Sequence, residues 1–465
     1  MNDDYAGFLE RKAQADTAAG FEPTWMPGFL FGFQAELTGW AIRQGRSAIF
    51  ADCGLGKSPM QLVWARNVHA RTGKPVLVLT PLAVTFQMEI EAAKFGIDAA
   101  ISRTGDLPAP IVITNYERLE KFDRARLGGV VCDESSAIKA FDGARRALVT
   151  DFLRKMPYRL LGTATAAPND YIELGTSSEA LGYLGHQDMI SRFFTNRQHT
   201  NDSKGHWAGF GRPRSWESSQ FRFKGHAETP FWRWVTSWAR ALRRPSDLGY
   251  DDDGFILPPL EYRQHIVKAR TQRDDGALFD VPAVGLNEER AELRHTITER
   301  CEQAAELLGG AKTGIAWCHL NAEGDLLARL IPGAVQVAGS DSTDDKEAKL
   351  AAFTRGDIRV LVTKPKIGAW GLNWQHCHRM TYFPDYSYEA HYQAVRRCWR
   401  FGQDHPVTVD IITTPGGANA LAGLRRKAAQ ADRMFAALVA HMREGQHVQR
   451  SAVYDQEVEV PSWAT

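Results

Sequence analysis

The sequence has no long apolar run: nothing in its 465 residues approaches the roughly 18 consecutive apolar positions of a membrane span. No membrane partner is therefore expected. The first residues, MNDDYAGFLERKAQ, carry acids and no apolar core, so no secretory signal is expected either. Cysteine is sparse. The six (Cys53, Cys132, Cys301, Cys318, Cys377 and Cys398) are scattered without a CxxC pair, which argues against a disulfide framework or a zinc site and favours a reducing, cytoplasmic compartment. Net charge is nearly absent, with 56 Lys+Arg against 55 Asp+Glu, so any basic surface must be local. No internal repeat at a fixed period is visible. What remains is an ordinary globular composition, 44% hydrophobic and 24% charged, in a chain too long for one core. Collagen-like, mucin-like and wholly disordered chains are excluded, and two or three domains are expected.

Short β-branched runs alternate with helical stretches in two blocks. In the first, strands are expected at Ser47–Phe50, Pro75–Thr80, Ile111–Thr114, Val130–Cys132 and Tyr158–Leu161. In the second, they are expected at Gly314–Trp317, Ala334–Val337, Arg359–Val362, Arg379–Tyr382 and Val407–Ile412. Apolar runs of this length separated by helices predict parallel sheets covered on both faces. The predicted fold is α/β: two doubly wound parallel-sheet lobes with an aromatic and basic insertion, mostly helix or loop, between them. The expected limits are an N-terminal segment 1–20, a first lobe 21–180, an insertion 181–254, a second lobe 255–415, and a C-terminal helix and tail 416–465.

Three motifs carry chemistry. Ala51-Asp52-Cys53-Gly54-Leu55-Gly56-Lys57-Ser58 follows a strand and precedes a helix. Glycines let backbone N–H groups close on phosphate oxygens, a helix N-terminus adds positive dipole, and a lysine reaches the β and γ phosphates. Lys57 is therefore a phosphate ligand in this reading, and Ser58 offers its hydroxyl to Mg²⁺. Val130-Val131-Cys132-Asp133-Glu134 is an apolar strand ending in two carboxylates, where a parallel sheet lines its ligand crevice. Asp133 suits Mg²⁺, and Glu134 suits orientation of an attacking water. Gln393-Ala394-Val395-Arg396-Arg397-Cys398-Trp399-Arg400-Phe401-Gly402-Gln403 is dense in cation. Arg397 and Arg400 share one helix face and suit a γ-phosphoryl group, although a solvated basic helix has the same pattern.

Taken in order, Gln34, ADCGLGKS, Thr80-Pro81, Asp133-Glu134-Ser135-Ser136, Gly162-Thr163-Ala164-Thr165, Gly371-Leu372-Asn373 and QAVRRCWRFGQ resemble the superfamily 2 helicases. The likeness is to the Swi/Snf-type (DEAD/DEAH-like) branch and its small phage and prophage members, which show DEMGLGKT, DEAH, LTGTP and QAxDRAHRIGQ. It covers about two-thirds of the chain. It implies RecA-like lobes with ATP and Mg²⁺ in the cleft between them, and a bacterial host cytoplasm if the chain is phage-encoded. Gln34 would read adenine. Gly54, Gly56, Lys57, Ser58 and Gly371 would surround the nucleotide, and Arg397 and Arg400 would reach it from the second lobe. Thr163, Thr165 and Gln393 would couple hydrolysis to nucleic-acid contact. Thr80, Pro81 and Asn115, with Thr363 and Lys364, would touch the tracking strand. Two departures stand out: Ser136 occupies the place of the DEAH histidine, and Arg396 occupies the place of an aspartate.

Residues 191–250 hold 11 Lys+Arg against 4 Asp+Glu, interleaved with 12 aromatics. Bases stack on aromatics and phosphates pair with cations, which makes Arg222, Lys224, Arg233 and Trp232 candidate nucleic-acid contacts. The alternative is that Trp232, Trp234 and Trp238 form the apolar face of a helix packed on the first lobe. The expected activity is a nucleic-acid-dependent ATPase acting as a DNA helicase, translocase or remodeller, with DNA favoured over RNA and with replication, recombination or nuclease proteins as possible partners. The alternatives are an ATP-dependent binding switch or loading module, and the motor subunit of a nuclease complex.

Overall fold

The computed structural model describes residues 19–140, 143–167, 170–196, 221–268, 286–368 and 372–451. Two wholly parallel sheets dominate it. The first runs in the order β3-β4-β2-β5-β6-β1-β9, with β1 at Arg46–Ala51, β2 at Val76–Thr80, β3 at Ala99–Ile101, β4 at Ile111–Asn115, β5 at Gly129–Asp133, β6 at Tyr158–Thr163 and β9 at Ala239–Leu242. A two-stranded antiparallel ribbon, β7 (Phe194–Asn196) with β8 (Phe221–Phe223), sits beside this lobe. The second sheet runs β10-β15-β14-β11-β13-β12, from β10 (Leu260–Ile266), β11 (Gly314–Trp317), β12 (Ala334–Val337), β13 (Val360–Thr363), β14 (Arg379–Tyr382) and β15 (Val407–Thr413).

Strand sequences explain why both sheets are covered. Successive side chains on a strand point to opposite faces. In β1, Ala48 and Phe50 enter one apolar cluster while Ile49 and Ala51 enter another. In β11 the same division puts Ile315 and Trp317 on one face and Ala316 on the other. A strand apolar at every position can be stable only with helices on both sides.

The chain departs from the expected limits after residue 180. Helix Glu228–Trp238 buries Phe231, Trp232, Val235 and Trp238 in the first lobe's core. The next four residues, Ala239–Leu242, then pair in parallel with β1 as the sheet's edge strand. A four-residue strand containing an arginine is too short and too polar for periodicity to reveal. The C-terminal helix Ala418–Ser451 is also not confined to the second lobe. Leu421 joins the second lobe's core, whereas Met434, Phe435, Leu438 and Met442 pack into that of the first. Arg243 and Asp432 pair at 2.8 Å along that contact. The helix therefore straps the lobes together.

His391 lies in helix Tyr388–Val395, against the rings of Tyr382 (4.6 Å) and Tyr262 (5.8 Å). Burial, reinforced by His319, pushes its imidazole from 6.5 down to about 4. The unfolded chain then binds a proton between those values that the native chain refuses. Stability is full above pH 6.5 and falls as pH drops toward 4. From pH 7 to pH 5 the wild type should lose about 2 kcal/mol more than His391→Phe in urea unfolding; equal losses would show that this site does not titrate as its burial requires.

Candidate functional site

Parallel strands end on one edge of their sheet, and there the first lobe assembles its polar residues. β1 ends at Ala51 and the chain turns through Gly54 (φ 92°) and Gly56 (φ 75°) into helix Lys57–Thr72. Both glycines also lack room for a side chain. A Cβ at Gly56 would lie 2.2 Å from Gln34 Nε2, and one at Gly54 would lie 2.8 Å from the backbone nitrogen of Phe401 in the second lobe. Lys57 Nζ donates to the Ala51 carbonyl at 2.9 Å and the Asp52 carbonyl at 3.5 Å, and Ser58 follows in the same first turn. Gln34 Nε2 donates to the Leu55 carbonyl at 2.9 Å, while its Oε1 accepts from the Phe31 N–H at 3.0 Å. Both amide atoms thus staple the loop to the start of helix Gly32–Gln44. Phe255, in the segment joining the lobes, meets Phe31 (5.1 Å) and Phe33 (5.2 Å) on one side and Phe401 (4.9 Å) on the other. Phe31 is still 52% exposed.

Asp133 ends β5 beside this loop. Gln61 Nε2 donates to its Oδ1 at 3.0 Å. Burial and then the charge of Glu134 raise its carboxyl to about 6, against the pull of Gln61 and Lys57. Glu134 sits at φ 50°, among the described residues the only non-glycine with positive φ. That conformation costs roughly 1–3 kcal/mol and persists where surroundings enforce it. They do so here: Tyr116 donates its hydroxyl to the Asp133 carbonyl at 2.8 Å, and Ser135 N–H donates to the Gly162 carbonyl at 2.9 Å. Glu134 Oε1 accepts from Ser136 Oγ at 2.9 Å and from Thr163 Oγ1 at 2.5 Å. Thr165 N–H in turn donates to Thr163 Oγ1 at 3.0 Å.

The second lobe meets these groups through helix Tyr388–Val395 and the turn after it. Arg396 pairs with Asp52 Oδ2, the Tyr392 hydroxyl donates to Asp52 Oδ1, and Cys53 N–H donates to the same Oδ1 at 2.6 Å. The Arg396 guanidinium lies over the Trp399 ring at 4.3 Å. Arg397 donates to the Gln393 carbonyl (3.0 Å), Gln393 Oε1 (2.8 Å) and the Leu372 carbonyl (3.2 Å). Arg400 NH1 reaches the Leu372 carbonyl at 3.5 Å, and its buried Nε has no partner among the described residues. Burial, with the charge of Arg397, pushes Arg400 down to about 10, while Cys53 and Glu91 of the first lobe act in the opposite sense.

Other expected residues fall elsewhere. Thr80 is buried and bonds Thr85 Oγ1 at 3.1 Å. Asn115 is buried at the end of β4, and its Oδ1 lacks a partner. Thr363 is buried and donates to the Val337 carbonyl at 3.1 Å. Lys364 donates to Asn321 Oδ1 at 2.6 Å. Pro81 lines a cleft of about 810 Å³ between the lobes, with Lys366 opposite. Arg222, Lys224 and Arg233 are exposed beside the ribbon and helix Glu228–Trp238. Trp232 corrects the stacking expectation: at 2% exposed, between Tyr171 and Phe231, it offers no face to a base. The spacing of 231, 232, 235 and 238 is that of a helix face packed on a core. Gly371 lies outside the described residues, as do Trp207, Phe210 and Trp216.

The residues present fit a magnesium nucleoside triphosphate. The phosphate loop has two φ-positive glycines, Lys57 holds only neutral carbonyls by hydrogen bonds, Asp133 presents a carboxylate, and the buried Arg400 Nε lacks an acceptor. Sequence reasoning missed Asp52, Tyr392, Phe255 and Glu389. One signal was available: Arg396 stands where the resembled pattern has an acid, and its complement, Asp52, stands in the phosphate loop.

No family model matches the chain, and no curated protein matches it. Among solved structures it is similar to a SWI2/SNF2 ATPase core from Sulfolobus solfataricus in complex with dsDNA, at 15% identity and a TM-score of 0.40, over 90% of this chain and 96% of that one.

Removing Arg396 leaves the Asp52 carboxylate buried without its cation. An uncompensated buried charge costs roughly 3–5 kcal/mol if nothing moves, and parting the lobes relieves it. Arg396→Ala should therefore raise the radius of gyration in small-angle scattering; a profile identical to wild type would show that the pair does not hold the seam.

Proposed function

We propose that the chain is a nucleic-acid-dependent ATPase that hydrolyses ATP in the seam between its lobes and works on DNA as a translocase or helicase. The observation that carries this reading is that the second lobe docks on the phosphate loop itself, with Arg396 and Tyr392 on Asp52, so that Arg397 and Arg400 stand in the turn next to that contact. The lobes are brought together there by the Asp52–Arg396 pair and by the close approach of Gly54 to Phe401.

In this reading Lys57 leaves its carbonyl acceptors for the β and γ phosphates, and the backbone of the phosphate loop lines them. Ser58 and Asp133 hold Mg²⁺, which when bound neutralises phosphate charge. Glu134, fixed by Ser136 and Thr163, orients a water for attack. Arg400 completes the charge around the transferring group. A guanidinium in that position is worth roughly 10³ or more in rate. Gln34 holds the loop, and Phe31 and Phe401 flank the adenine end. A nucleic-acid partner is favoured by the local basic excess over residues 191–250 and by the exposed Arg222, Lys224 and Arg233, and DNA over RNA by the Swi/Snf-type resemblance alone. Pro81 and Lys366, which line the cleft of about 810 Å³ between the lobes, would add a further contact there. Among the described residues no helix is long and apolar enough to cross a membrane.

The test is ATP turnover with single-stranded, duplex and forked DNA and with RNA. DNA should stimulate turnover most. Glu134→Gln should bind ATP within a few-fold of wild type yet lose roughly 10²-fold or more in kcat, and Arg400→Ala should show the same split. No hydrolysis with any nucleic acid would overturn the ATPase reading, and equal stimulation by RNA would overturn the preference for DNA.

A further inference from the structure

Glu389 stands in the first turn of helix Tyr388–Val395, on the second lobe, yet its carboxylate lies among first-lobe groups. Thr165 Oγ1 donates to its Oε1 at 3.1 Å. Ser136 and Lys139 are close enough to act on its charge. Burial raises its carboxyl above the ordinary range. Both residues lead on to Glu134: Ser136 donates directly to Glu134 Oε1, and the Thr165 backbone N–H donates to Thr163 Oγ1, which donates to the same oxygen.

A serine hydroxyl has a single proton to give. With Glu389 absent from the seam, Ser136 keeps Glu134 as its acceptor, and Thr165 loses the acceptor that fixes its hydroxyl. With Glu389 docked, the Thr165 hydroxyl is pinned and Ser136 lies between two carboxylates, so the orientation of Glu134 responds to the opposite lobe.

Resting on the ATPase reading, we propose that Glu389 is a positioning residue that transmits docking of the second lobe to the water-orienting carboxylate Glu134, through Ser136 and through Thr165–Thr163. It touches neither phosphate nor water in this role. Its removal should therefore leave nucleotide affinity in place and slow the chemistry.

The experiment uses the full chain with Glu389→Ala, Glu389→Gln, Ser136→Ala and the Glu389→Ala/Ser136→Ala double variant. Glu389→Ala should lose about 10²-fold in kcat, the scale of a small misplacement of a reacting group, with the Kd for ATP within about threefold of wild type. Glu389→Gln should restore most of the rate, since its amide can accept from Thr165 and donate to Ser136. The double variant should be no slower than the slower single one; multiplied losses would mean that the two side chains act independently. Without nucleotide, small-angle scattering should show Glu389→Ala shifted toward an open form and Glu389→Gln not. Wild-type kcat in Glu389→Ala, loss confined to Kd, or an unchanged scattering profile would each overturn the proposal. Wild-type protein that hydrolyses no ATP would overturn the ATPase reading instead, and the nucleotide-free scattering would still decide whether Glu389 docks the lobes.

Discussion

The Asp52 carboxylate, gripped across the seam by Arg396 and Tyr392, holds the phosphate loop of one lobe against the arginine-bearing turn that follows helix Tyr388–Val395 of the other. Much else in the molecule depends on that contact. Asp52 is also tied to the backbone of its own loop through Cys53 N–H, so pulling on the carboxylate pulls on the loop itself. Arg396 is steadied by the Trp399 ring and Tyr392 by its helix, so the grip is stiff on the second lobe as well. A buried ion pair is a poor source of net stability, because desolvation of both charges offsets their attraction. Its value lies in specifying register. The docking that satisfies Asp52 also brings Gly54 against the backbone of Phe401.

Two parallel sheets make such a seam possible. Because all strands of a sheet run one way, β1, β5 and β6 deliver the phosphate loop, the acid pair and Thr163 to a single edge. The helical strap from Leu421 to Met442 then limits how far the lobes can part, since its two ends are embedded in different cores. Strap and ion pair act at different distances from the seam. The strap keeps the lobes together, and the polar contacts choose their alignment.

Both sheets and the elements that carry the motifs were legible in the sequence, because each is encoded locally. A phosphate loop, an acid pair ending an apolar strand and arginines three apart are each written in adjacent residues, and both sheets followed from short apolar runs. The basic, aromatic segment was only half legible. Its tryptophans have helix-face spacing, which composition alone cannot tell from a stacking platform, and Trp232 proved to be core. What could not be seen were pairings made at a distance. Asp52 with Arg396 and Thr165 with Glu389 join residues hundreds of positions apart, and β9 is too short to announce itself. Such contacts depend on how two finished lobes dock, and no window of sequence contains that information.

The central claim is that a triphosphate binds where the loop of one lobe faces the arginines of the other. A crystal structure with Mg²⁺ and a non-hydrolysable ATP analogue tests it most directly. The account predicts the terminal phosphate between Lys57 and Arg400, with Asp133 on the metal side and Glu134 beside the line of attack. A nucleotide bound by the first lobe alone, with Arg397 and Arg400 turned away from it, would contradict the account.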